Sequence, residues 1–257
     1  MPDLSVVIPT YRRPDALPAT LDALERQSVD AGAFEVVVVD DADADDVAVV
    51  DRCIGSRPFA VRRLDRHAPG VAAARNAGWR AAAAALVLFL GDDIVAAPDL
   101  LEQHLQWHAR HPEEEAGVLG HVRWADSLRP TTFMRWLDGG WQYDYAAIRG
   151  DDAGWGRLYT SNVSLKRALL ERSGGFDESF EFGAEDIELG RRLHDLGLRL
   201  LYNPAARAEH LHEPTLESWR RRMAVAARAE HRLHEKHPDI PPYFLPRMRQ
   251  ALERPPP

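Results

Sequence analysis

The sequence predicts an α/β fold: a mostly parallel central sheet flanked by helices, with a helical extension at the C-terminus. Three observations carry that expectation. β-rich apolar runs without polar alternation recur between residues 4 and 90, as strands covered on both faces require. Helical stretches separate these runs, the pattern of right-handed βαβ units. The 257-residue chain is 45% hydrophobic, enough for one large core.

The elements follow in order. "LSVVIPT" (4–10) is a buried strand, and "PDALPATLDALERQ" (14–27) carries Leu17, Leu21 and Leu24 at helical spacing. "FEVVVVDD" (34–41) is a second buried strand ending in acids, and "FAVRRLD" (59–65) a weaker, polar third. "GVAAARNAGWRAAAA" (70–84) is an Ala-rich helix and "LVLFL" (86–90) the fourth strand, stopping at Gly91 before Asp92, Asp93 and the apparent start of an amphipathic helix. "LLEQHLQWHARHP" (100–112) is a helix rich in His and Trp, and "GVLGHVRW" (117–124) a strand. Residues 125–157 are aromatic, glycine-containing and weakly periodic, which predicts a mobile loop or acceptor-binding insert. Residues 158–180 give strand, helix and turn, and "AEDIELGRRLHDLG" (184–197) is a helix buried through Ile187, Leu189, Leu193 and Leu196. "LRLLYNP" (198–204) is a last strand. A basic helix over about 216–236 and a frayed Pro-rich tail close the chain. No internal repeat is visible.

Bulk properties narrow the function. The net charge of −8 argues against a nonspecific nucleic-acid binder. A lone cysteine, Cys53, excludes an internal disulfide and a Cys-based zinc site, and suits a reducing compartment. The N-terminus lacks signal-peptide character and the longest apolar stretch, Ala81 to Leu90, is too short to span a bilayer, so a soluble cytoplasmic protein is expected. The Arg-rich helix is compatible with peripheral attachment to the inner face of a membrane, although a packing helix with a solvated basic face is the preferred reading.

In parallel sheets ligands sit beyond the carboxyl ends of the strands. Pro9-Thr10-Tyr11, Asp40-Asp41 and Asp92-Asp93 all fall at such ends. Adjacent carboxylates at the edge of a core need a counter-charge, which Mg²⁺ or Mn²⁺ supplies. An isolated GDD is more simply a solvated turn, but three polar strand ends on one edge favour the cation. Arg75 could clamp a phosphate. There is no GxGxxG and no P-loop. A second acidic pair, Glu185–Asp186, opens a helix after Gly183. Capping explains acids there, yet Asp186 lies near the buried stripe. Glu188 and Arg192 have the spacing of an ordinary surface ion pair. His210 and His212 flank a leucine with ligand-like spacing.

Taken together, "SVVIPTYRRPDALPATLDAL", "FEVVVVDD", "GVAAARNAGW", "LVLFLGDDI", "SNVSLKRALLERSGGFDESF", "GAEDIELGRRL" and "EHLH" resemble, in order and spacing, a family 2 glycosyltransferase of the GT-A (Rossmann-like) fold, over roughly residues 4–212. The resemblance implies a single catalytic domain over 1–215, with a nucleotide-sugar-binding half (1–100) and an acceptor-binding half (101–215), followed by the extension at 216–257. It implies inverting transfer from a UDP-, GDP- or dTDP-linked sugar to a saccharide, lipid-linked or small-molecule acceptor, with Mn²⁺ or Mg²⁺ as cofactor. Pro9, Thr10, Tyr11, Arg12 and Asp41 would cradle the base and ribose, Arg75 would lie near the base or diphosphate, and Asp92 would face the ribose. Asp93 would ligate the metal, with His210 an additional ligand and His212 the fallback. Asp186 would be the general base and Glu185 would hold the acceptor. Asn162, Gly183 and Trp155 would contact the acceptor or donor sugar. One departure is Gly91, where many relatives carry an acid.

Trp124, Trp136, Trp141, Tyr143 and Trp155 are candidates for stacking on sugar rings, although large aromatics are more often core. A sugar-phosphate nucleotidylyltransferase would need a glycine-rich loop after the first strand, which "PTYRRPD" lacks. A non-catalytic nucleotide-sugar binder should lack the base, and a two-metal phosphohydrolase needs more ligands.

Overall fold

The structure, a computed structural model, describes all residues except 14, 42–46, 66–67, 181 and 254–257. The start of the first expected helix at Pro14 and the expected frayed tail, Arg254 to Pro257, lie outside the described residues.

The first half is built as its sequence pattern dictates. Strands β1 (Leu4–Thr10), β2 (Phe34–Asp40), β3 (Ala60–Asp65) and β4 (Leu86–Leu90) pair in parallel in the order β3-β2-β1-β4. Alternate residues of these strands feed opposite layers. On one face Leu4, Val6 and Ile8 meet Leu17, Leu21 and Leu24 of helix α1 (Leu17–Glu25). On the other lies α3 (Val71–Ala81), whose Gly78 lets the helix approach until a Cβ there would collide with Val7. Helix α2 (Val47–Ile54), which periodicity did not reveal, links β2 to β3.

The second half joins through antiparallel pairs, so the eight-stranded sheet among the described residues is mixed, in the order β3-β2-β1-β4-β7-β6-β8-β5. Strand β7 (Asn162–Lys166) is antiparallel to β4 and to β6 (Ala116–Trp124), and β8 (Arg199–His210) is parallel to β6. The expected strand at 198–204 thus continues to His210. After Asp93 the chain forms not a helix but the short strand β5 (Ile94–Ala96), antiparallel to β8 with Ile94 opposite His210. β-branched Ile94 and Val95 favour extension, and Pro98 delays α4 until Leu100–Arg110.

Residues 125–157 are a docked insert rather than a loose loop. Helix α5 (Thr132–Leu137) is capped by the Thr131 hydroxyl and buries Met134 and Leu137, with Trp124, against Trp219 and Met223. The buried stripe Trp219, Met223, Ala226, Ala229 and Leu233 belongs to α8 (Leu216–Lys236), which starts at a Thr215–Ser218 capping box. Helices α6 (Arg167–Ser173), α7 (Glu185–Asp195) and α9 (Phe244–Glu253) complete the molecule. Glu188 is not part of a surface pair: it is 2% exposed and binds Arg192 at 2.7 Å and His237 at 3.2 Å. Among the described residues no helix is long and apolar enough to cross a membrane.

Candidate functional site

The carboxyl ends of β1, β2 and β4 open into one cavity of about 1000 Å³, closed on its far side by the start of α7, the end of β8 and α8. Pro9, Thr10 and Tyr11 line it from β1, and Asp41 from just beyond β2. The Asp41 amide donates to Thr10 O (2.8 Å), and its Oδ2 accepts from Gly70 N (3.2 Å), which ties the loop before α3 to the strand ends.

Asp92 and Asp93 are each 6% exposed, so they are not a solvated turn. Thr10 Oγ1 donates to Asp92 Oδ2 at 2.9 Å, and Thr20 Oγ1 to the Asp92 carbonyl at 2.8 Å. The counter-charge within the chain is Arg13, 3.2 Å from Asp92 Oδ1 and 2.7 Å from Asp93 Oδ2. The sequence pointed to a divalent cation as that counter-charge and to Arg12, not Arg13, as a nucleotide-sugar contact. Arg12 stacks over Tyr11 at 5.2 Å and is not among the cavity-lining residues. Its left-handed backbone, φ 50°, reverses the chain and presents Arg13 instead. Two arginines in a row at a strand end were the available signal, without a way to choose between them.

The two acids part in character. Burial pushes Asp92 up to about 6 against the pull of Arg13. Burial acts on Asp93 too, but the His210 hydrogen bond, the His210 charge and Arg13 hold it well below the carboxylate range. His210 Nε2 stands 3.1 Å from Asp93 Oδ2 because Ile94 is in register with His210, and the Leu211 amide donates to the Asp93 carbonyl at 2.9 Å. Trp124 stacks flat on the His210 ring, centroids 5.3 Å apart at 8°. Trp124 is buried and is not among the cavity-lining residues. His212 also lines the cavity, with its imidazole pushed down to about 4 by burial and by His210.

This donor set suits a hard divalent cation. Asp93 Oδ2 and His210 Nε2, 3.1 Å apart, are the atoms that would hold it. Among the described residues no three His, Cys, Asp or Glu groups form a cage. Such a cation would draw its remaining ligands from phosphate and water, as Mg²⁺ commonly does. Gly91 has no room for an acid without movement: a Cβ there would lie 2.8 Å from Ile94 Cγ1.

The second acidic pair enters from α7. Gly183 (φ 85°) and Ala184 (φ 64°) are consecutive left-handed residues that turn the chain into the helix. A non-glycine residue in that region stores strain of about 1 kcal/mol or more, as functional turns often do. Glu185, 5% exposed, takes a 2.7 Å ion pair from Arg75 Nη1, and the buried Arg75 Nε has no hydrogen-bond partner among the described residues. Asp186 is half-buried, with Oδ1 accepting from Ile187 N at 2.9 Å. Burial first, and then the Glu185 charge, raise its pKa, with Arg75 opposing. Trp155, Trp141 and Tyr143 line the cavity, whereas Trp136 stacks on Trp141 behind it.

Asn162 is the predicted site residue that the fold removes. It is fully buried, donates to Ala206 O (2.9 Å) and accepts from His104 Nε2 (2.9 Å), pinning the irregularity where β8 shifts register against Gly120 and His121. Arg222 of α8 also lines the cavity and had not been singled out.

Residues 5–159 match the description "Glycosyl transferase family 2". Among similar proteins, validoxylamine A glucosyltransferase from Streptomyces hygroscopicus subsp. jinggangensis is 35% identical across 85% of this chain and 58% of its own length. The chain thus spans little more than half of that relative. The mannosyltransferase PcManGT from Pyrobaculum calidifontis, solved in complex with GDP-Man and Mn²⁺, superposes with a TM-score of 0.64 at 25% identity, covering 87% of this chain and 61% of that one. S. aureus TarS 1-349 in complex with UDP gives 0.63 at 19% identity, covering 88% and 64%.

Proposed function

The chain belongs to glycosyl transferase family 2 and has its GT-A fold, and from that premise we propose that it transfers a sugar from a nucleotide-sugar donor to an acceptor hydroxyl with inversion. The observation that carries the reading is one cavity with acids of opposite character on separate walls: Asp93, kept ionised beside Arg13 and His210, and Asp186, kept basic by burial and Glu185. The GDP-Man and Mn²⁺ of the mannosyltransferase and the UDP of TarS support a nucleotide-sugar donor and a divalent metal.

In this reading Thr10, Tyr11 and Asp41 hold the nucleoside, and Asp92, fixed by Thr10, faces the ribose. Asp93 and His210 would hold Mn²⁺ or Mg²⁺. The metal, when bound, neutralises charge that develops on the departing diphosphate. Glu185, braced by Arg75, orients the acceptor. Asp186 takes the proton of the acceptor hydroxyl as its oxygen bonds to the anomeric carbon. The bond from that carbon to the diphosphate oxygen breaks, and the nucleoside diphosphate leaves with the electron pair. Attack opposite the leaving group inverts the configuration. Trp155, with Trp141 and Tyr143, offers aromatic faces to acceptor or donor sugar.

The test is incubation with Mn²⁺ or Mg²⁺ and a panel of UDP-, GDP- and dTDP-sugars, with saccharide, lipid-linked and small-molecule acceptors, following nucleoside diphosphate release. One donor class should be consumed. Asp186→Asn should still be stabilised thermally by that donor while turnover falls by about 10²–10⁴-fold. Thermal stabilisation without turnover in the wild type would favour a non-catalytic binder. No response to any donor would overturn the reading.

A further inference from the structure

Among the described residues three arginines line the cavity: Arg13, Arg75 and Arg222. Two are already neutralised, Arg13 by Asp92 and Asp93, and Arg75 by Glu185. Arg222 has no carboxylate partner among the described residues. The neighbouring Arg221, by contrast, pairs with Glu217. Arg222 is half-buried beside two aromatic rings, its Cζ 5.6 Å from the Phe182 centroid and 5.8 Å from that of Trp219.

A guanidinium held against aromatic rings keeps its N–H donors for parallel hydrogen bonds to a phosphate. The position along the cavity is also informative. Trp219, beside which Arg222 lies, shares a buried cluster with Trp124, and Trp124 stacks on His210 next to Asp93, so Arg222 lies towards the Asp93 end. An unneutralised cation in a part-apolar cavity calls for an anion, and the anion expected at the Asp93 end is a diphosphate.

We propose that Arg222 binds the diphosphate of the donor, opposite Asp93, so that the C-terminal helix supplies part of the donor site. This rests on the nucleotide-sugar reading above. Phe182 immediately precedes the Gly183–Ala184 turn, so the same guanidinium lies beside the start of the loop that delivers Glu185 and Asp186.

The experiment is calorimetric titration of wild type, Arg222→Met and Arg222→Lys, with Mn²⁺ present, using UDP, GDP and dTDP and then the corresponding monophosphates. Arg222→Met keeps an apolar stem against Trp219 and Phe182. Circular dichroism and melting of each variant check that the helix remains folded. For the diphosphate that the wild type binds, Arg222→Met should weaken affinity about tenfold or more, while the monophosphate changes by about twofold or less. Arg222→Lys should fall between, because it keeps the charge and loses the fork. Equal losses on diphosphate and monophosphate, or no loss on either, would overturn the inference and leave the donor reading intact. A wild type that binds no diphosphate would overturn both together.

Discussion

Asp186 is a half-buried acid with another carboxylate, Glu185, as its neighbour in sequence, and its environment favours the proton-holding form. In its proposed role as general base Asp186 must be deprotonated to work, so kcat/KM should rise with pH through its titration. Burial and the Glu185 charge move that limb from the ordinary carboxylate range towards neutrality. Glu185→Gln removes the raising charge and should shift the limb to lower pH. Arg75→Met removes the lowering charge and should shift it to higher pH. Rate profiles of the two variants check this directly: limbs that do not move in opposite senses would contradict the assignment. At this scale the sequence was partly readable. Asp92, Asp93, Glu185 and Asp186 stand out because acids at strand and helix ends are chemically conspicuous. Arg13 and Arg222 do not, because their meaning depends on which carboxylates other arginines have already taken.

Elements position these groups through register. The β5–β8 pairing sets Ile94 opposite His210, and with it Asp93 beside the imidazole. That strand was missed because three residues are too few to show a period. Helix α4 contributes differently. His104 is fully buried, and the hydrogen-bond geometry fits one tautomer: Nε2–H donates to Asn162 Oδ1, Ser164 donates to Nδ1, and His108 Nε2–H donates to the Ser164 oxygen. Burial pushes the His104 imidazole from 6.5 down to about 4. Because the unfolded chain takes up this proton first, the stability contributed is full above 6.5 and is lost as pH falls towards 4. The loss is of order 3 kcal/mol for His104. His104→Gln should therefore melt below wild type at pH 7.5, and the gap should narrow by pH 4.5, as calorimetry at the two pH values will show. A helix rich in His and Trp was evident in the sequence. Which histidines turn inward was not, because Asn162 and Ser164 that receive them lie about sixty residues away.

Across the whole molecule, the parallel half could be read from the sequence because its strands are covered on both faces and so lack alternation. The mixed half could not, since antiparallel partners such as β4 and β7 are distant in sequence and joined through an insert of weak period. That insert and α8 share the core of Trp124, Met134, Leu137, Trp219 and Met223, so the expected boundary at residue 215 cuts through one cluster and through the wall of the cavity. The cavity spans both halves and the extension, and in the proposed reading its two acidic centres have separate duties: Asp93 would hold the donor through a cation, and Asp186 would act on the acceptor. The most direct measurement of that division is a calorimetric titration of nucleoside diphosphate, with and without Mn²⁺, into wild type, Asp93→Asn and Asp186→Asn. The expected result is metal-dependent binding by wild type, its loss in Asp93→Asn by about tenfold or more, and its retention in Asp186→Asn. Unchanged metal-dependent binding by Asp93→Asn, or loss in Asp186→Asn equal to that in Asp93→Asn, would contradict it.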